Sequence, residues 1–69
     1  MNRIKTVLAE KGVKQSWLAK KINKSYNMVN SYAQNRRQPS LEVLNDIANL
    51  LQVDVKDLIE SNIKEDYHA

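Results

Sequence analysis

Residues 15–34, QSWLAKKINKSYNMVNSYAQ, decide how the rest of this chain is read. From Gln15 to Ile22, the residues Leu18, Ala19 and Ile22 recur at helical spacing. That predicts a short helix with one apolar face and with Lys20 and Lys21 turned away from it. Asn23 ends it, because asparagine tolerates the left-handed conformation in which helices commonly finish, though less readily than glycine. Ser25 follows two residues later and is a good N-cap. Its hydroxyl can accept from an otherwise unpaired amide of a second helix, predicted from Tyr26 to Gln34. The stretch is a helix, a corner of three or four residues, and a helix.

At roughly 100° per residue counted from Tyr26, the second helix sorts its side chains cleanly. Met28, Val29, Tyr32 and Ala33 fall in an arc from about 200° to 340°, while Asn27, Asn30, Ser31 and Gln34 fall opposite, between about 40° and 140°. The outer face is polar without being charged. A helix face that only meets water more often uses Lys and Glu in i,i+4 pairs, and Asn and Ser are mediocre helix formers. Amides and hydroxyls both donate and accept, as reading a base edge requires; Asn can bond adenine N6 and N7 together. The alternative is an ordinary wet face. These residues are locally unfavourable for a helix and chemically suited to a partner.

The composition narrows the classes. With 69 residues the chain is one domain at most, and folding buries only roughly 60% of the surface such a chain exposes when unfolded. It has no Cys, hence no disulfide or thiolate metal site, and suits a reducing cytoplasm. Val7-Leu8-Ala9 and Trp17-Leu18-Ala19 are its longest apolar runs, which excludes a membrane span or signal-peptide core. Charge is unevenly spread. Residues 1–37 hold Arg3, Lys5, Lys11, Lys14, Lys20, Lys21, Lys24, Arg36 and Arg37 against Glu10 alone, whereas residues 38–69 hold Lys56 and Lys64 against seven acids. Such asymmetry fits a protein that presents one side to a polyanion. An acidic membrane is the poorer partner, since no helix pairs a basic face with a broad apolar one. Enzyme chemistry finds no support: His68 is the only histidine, no glycine-rich phosphate loop exists, and the carboxylates outside the tail read as helix-end groups. No cofactor, metal or small molecule is indicated.

Working outward, Asn2 to Lys11 is expected as a first helix carrying Ile4, Val7 and Leu8 on one stripe, stopped by Gly12, with Val13 reaching back to the core. Lys14 stands where the next helix would take a Ser or Thr cap, so that start is weakly specified. Trp17 lies between the buried and exposed arcs and is read as a ring over the edge of the core; a protein-contact anchor is the alternative. After Gln34, Asn35-Arg36-Arg37-Gln38-Pro39 is a turn. Asn35 suits a left-handed cap, Pro39 stops either helix, and the paired guanidinium forks match phosphate oxygens. Ser40 caps a fourth helix, Leu41 to Leu51, in which Leu41, Leu44, Ile47, Ala48 and Leu51 form the buried stripe. Asp54 caps a fifth helix from Val55 to about Glu60, with Asp57 reaching back as in a capping box and Val53 stapled onto Leu58. Residues 61–69 are expected as a tail, a helix extension or disordered, whose Ile63 and Tyr67 form a candidate self-association patch.

With these pieces in order, the chain resembles the helix-turn-helix DNA-binding domains of the phage repressor and Cro type, the XRE family, over about residues 2 to 60. The resemblance is carried by Gln15 followed by Leu18-Ala19, the corner before Ser25, Val29 inside the second helix, and the basic loop ending Pro39-Ser40-Leu41. Leu44, Ile47-Ala48 and Leu51, then Val53-Asp54 before Leu58, complete it. It implies an all-α, lambda-repressor-like bundle of five short helices over residues 1–60, binding double-stranded DNA as a transcriptional regulator, as a homodimer at least on DNA. In that family the second helix of the unit enters the major groove and the first lies across the backbone. Carried over, Tyr26, Asn27, Asn30 and Ser31 read bases. Gln15, which also buttresses Asn27 or Tyr26, meets phosphates with Lys14, Lys24, Asn35, Arg36 and Arg37. Departures from the family pattern are Asn23 and Asn35 where Gly is usual, Lys14 for Ser or Thr, Lys24 for an aliphatic residue, and Ala33 for a frequent Glu. The same fold at lower stability is expected. A protein-interaction or antitoxin-like module using Trp17 or the tail is the competing reading.

Overall fold

The computed structural model describes residues 1–60; the expected tail, with Ile63, Tyr67 and His68, lies outside them. Helices α1 (Ile4–Lys11), α2 (Gln15–Lys21), α3 (Tyr26–Ala33) and α4 (Leu41–Leu51) are followed by a 3-10 turn at Val55–Leu58. The all-α expectation holds, with the fifth helix reduced to that turn. Its shortening has a cause in the chain's other end. Ile59 leaves the helical path to form an antiparallel bridge with Asn2, flanked by bonds from Arg3 N to Leu58 O at 2.8 Å and from Glu60 N to Met1 O at 2.9 Å. The same pairing holds Asn2 extended, so α1 begins at Ile4 and not at Asn2 as expected. Asp57 Oδ2 accepts from the Asp54 amide at 3.2 Å, the returning bond of the expected capping box.

The four helices end alike. Gly12, Asn23, Asn35 and Gln52 adopt φ of 67°, 60°, 61° and 57°. At each, the amide of that residue bonds the carbonyl three back and the next amide bonds the carbonyl five back, as in Lys24 N to Ala19 O at 3.0 Å and Arg36 N to Ser31 O at 2.9 Å. This double closure satisfies carbonyls that a helix end otherwise leaves to water. Residues other than glycine strain to adopt it, by about 1–2 kcal/mol, with Asn the most tolerant. Gln52 is the end that local sequence does not announce.

One apolar cluster joins Ile4, Val7 and Leu8 of α1, Leu18 and Ala19 of α2, Val29 and Tyr32 of α3, Leu44, Ile47, Ala48 and Leu51 of α4, and Leu58 of the 3-10 turn, with Val13 and Val53 packed against it. Each fully buried aliphatic side chain contributes about 1.5–3 kcal/mol, so this short chain depends on nearly all of them. The α2–α3 pair makes the most extensive contact of any two elements, so the corner between them is held as a unit. One residue of the expected buried stripe differs from expectation. Leu41 is 65% exposed, while Pro39 just before it is buried. The chain enters α4 from the core side, leaving the first helical residue outside. Trp17 is 39% exposed and lies under Lys21, whose Nζ is 5.8 Å from the ring centroid. Stacking a cation one turn along covers the ring from outside.

Candidate nucleic-acid interface

The outer helix of the two-helix unit is fixed at both ends. Ser25 Oγ accepts from Met28 N at 3.0 Å, closing its N-terminus, and Asn35 closes its C-terminus through the left-handed turn already described. Val29, Tyr32 and Ala33 bury the inner face. The polar arc is thereby forced outward: Asn27 and Gln34 are exposed, Asn30 and Ser31 half-buried. Tyr26, at the leading end, is 53% exposed. Among the described residues, no side-chain bond to the protein is made by Tyr26, Asn27, Asn30 or Ser31. Their donors and acceptors stand unengaged on a rigid rod.

The candidate phosphate-binding residues flank that rod. Lys14, Gln15 and Tyr26 line one cleft with Ser16 and with Lys5, a residue of α1 that sequence reading did not single out. Helical position alone gives no sign of Lys5, because only packing carries α1 alongside the start of α3. Gln15 makes no side-chain hydrogen bond to Asn27 or Tyr26. Its Oε1 is buried without a hydrogen-bond partner among the described residues, an arrangement that costs about 1–3 kcal/mol. Lys24 is half-buried in the corner before Ser25. Lys14 caps α2 without a side-chain bond, as its identity predicts.

On the far side, Arg36 and Arg37 are exposed. Arg37 Nη1 reaches back to Met28 Sδ at 3.6 Å, over the flank of α3. Asn35 behaves differently from expectation. Its Oδ1 accepts from Asn2 N at 2.8 Å and from Gln38 Nε2 at 3.1 Å, and its Nδ2 donates to Asn2 O at 3.2 Å. The side chain assigned to a phosphate faces the protein instead, because Asn2 presents a buried amide and carbonyl there. Among the described residues the only ion pair is Arg3–Glu10, at 4.0 Å. Lys5, Lys14, Lys24, Arg36 and Arg37 therefore have no carboxylate partner there, and their field is not locally cancelled.

A helix-turn-helix whose outer helix carries unengaged amides and hydroxyls between unpaired cations defines a class, the DNA-binding domains. The chain belongs to the Cro/C1-type HTH DNA-binding domain family, whose model matches residues 3–63. It is also similar to a candidate DNA-binding protein from Bacteroides fragilis, known from a crystal structure. The identity is 47%, the match covers 87% of this chain and 97% of that one, and the TM-score is 0.86. Comparison with curated proteins finds no match. Double-stranded DNA is the partner class that family membership assigns. No helix among the described residues is long and apolar enough to cross a membrane.

Proposed function

We propose that this chain is a transcriptional regulator that reads DNA sequence from the major groove with α3, acting as a homodimer on a palindromic operator. The observation that carries the reading is the outward arc of α3, where Tyr26, Asn27, Asn30 and Ser31 have no side-chain hydrogen-bond partner among the described residues. Residues 1–60 serve as the DNA-binding unit and 61–69 as a tail. Lys5, Lys14, Lys24, Arg36 and Arg37 draw the domain to the duplex by releasing counterions, and Asn27, Asn30, Ser31 and Tyr26 then discriminate bases. Gln15, with its unpartnered amide oxygen, turns its NH2 to a phosphate. A single copy touches few base pairs, and pairing two on half-sites about 34 Å apart supplies the missing specificity.

Selection of bound duplexes from a random pool tests this directly, with a recovered palindrome expected. Asn27→Ala costs roughly 1–3 kcal/mol on the selected site and relaxes the preference, while Arg36→Ala weakens binding to all duplexes and lowers the slope of log K against log salt by about one. Equal loss on selected and random DNA for Asn27→Ala contradicts its base-reading role. Exposed Trp17 supports the competing reading, a docking surface for another protein. The two separate in a salt titration, since phosphate-driven binding falls steeply with salt and apolar docking does not.

A further inference from the structure

We propose that Asn2 is a positioning residue for DNA binding, holding the Arg36–Arg37 pair in place from the opposite end of the chain. Asn2 is 4% exposed, the one polar residue among those described that the fold buries. Burying an amide is unfavourable unless its hydrogen-bonding groups are matched. Here they are matched, and the partners are what point to a role. Both hydrogens of Nδ2 are used, on Tyr32 O at 2.9 Å and Gln38 Oε1 at 2.9 Å. Oδ1 accepts from Ile4 N at 3.0 Å, and the backbone of Asn2 exchanges bonds with the Asn35 side chain at 2.8 and 3.2 Å. Tyr32 lies in the last turn of α3, and Asn35 and Gln38 bracket the two arginines.

The turn at Asn35 already satisfies the end of α3 through backbone bonds to Ser31 and Tyr32. Helix capping therefore does not require the Asn2–Gln38 bond. That bond fixes the exit of the loop, while the Asn2 side chain holds Tyr32 O and its backbone holds the Asn35 side chain at the entry, so both ends of Arg36–Arg37 are held to one buried residue. Asn2 is itself held by the Ile59 bridge on its other side. A loop ordered in advance loses less conformational freedom when it meets a phosphate backbone. The arginines remain exposed, with no carboxylate partner among the described residues, while their backbone is immobilised.

The inference rests on the phosphate role proposed for this loop, and the test separates the two. Affinity for a fluorescent random-sequence duplex is measured by anisotropy at low salt, at a temperature where circular dichroism reports each variant fully folded. The proteins are wild type, Asn2→Ala, Gln38→Ala, Arg36→Ala/Arg37→Ala, and the combinations of each amide variant with the double arginine variant. Asn2→Ala is expected to weaken binding about five- to tenfold and Gln38→Ala about two- to threefold. Neither adds a loss once the arginines are gone. Exposed Gln38 keeps the test available if Asn2→Ala does not fold. Equal losses with and without the arginines, or no loss in wild type, overturn the positioning role and leave the DNA reading intact. If removing the arginines itself leaves affinity unchanged, the phosphate reading of the loop fails and the positioning role falls with it.

Discussion

The two corners that bound α3 look alike in backbone and differ in what their side chains do. Before the helix, Asn23 turns left-handed at φ 60°; after it, Asn35 does so at φ 61°. Both close the preceding helix with the same pair of backbone bonds. Asn23 is exposed, and its side chain makes no bond to a described residue. The side chain of Asn35 accepts two bonds and donates one, all within the knot formed with Asn2 and Gln38. One asparagine is a substitute for glycine; the other is a structural ligand. Residue identity and backbone angle do not separate them, and only the surroundings do.

The same substitution at the two corners is accordingly expected to act with opposite sign. Asn35→Gly relieves left-handed strain but leaves the buried Asn2 amide without its acceptor, and a net loss of about 2 kcal/mol in urea denaturation is expected. A gain there means that the knot adds nothing to stability. Ser25→Ala, which removes the cap at the first corner, costs about 1 kcal/mol in the same measurement. Asn23→Gly gives the smallest change, a gain of about 0.5–1 kcal/mol visible as a melting temperature several degrees higher. A loss at Asn23 points to a side-chain role in the first corner and collapses the contrast.

The asparagines extend the comparison to function. Asn27 and Asn30 on α3 leave their amides unengaged among the described residues, while Asn2 and Asn35 use theirs on the fold. Residue spacing alone separates the polar arc of α3 from its buried face, because a helix fixes side-chain direction by position. No comparable rule covers Asn35, which lies outside the helix. The role of Asn2 is hidden from sequence for the same reason: its partners at positions 32, 35 and 38 are distant in sequence, and nothing local marks them. Leu41 fits the apolar period of α4 yet is 65% exposed, since periodicity gives a face but not how far along the helix the core extends.

What the sequence alone determined is whatever a few neighbouring residues settle among themselves. That covers the four α-helices, the Ser25 and Ser40 caps, the stops at Gly12, Asn23 and Asn35, and the uncharged polar face of α3. These follow from dihedral preference and from hydrogen bonds spanning three to five residues, whose cost and return are local. Tertiary structure alone decided that Gln52 turns left-handed, that Ile59 pairs with Asn2 and shortens the last helix, that Lys5 joins the cleft of Gln15 and Tyr26, and that Asn35 faces inward. Each of these depends on segments far apart in the chain meeting around one core. A buried polar group takes whichever partner that meeting supplies, because the cost of leaving it unpaired exceeds any local preference.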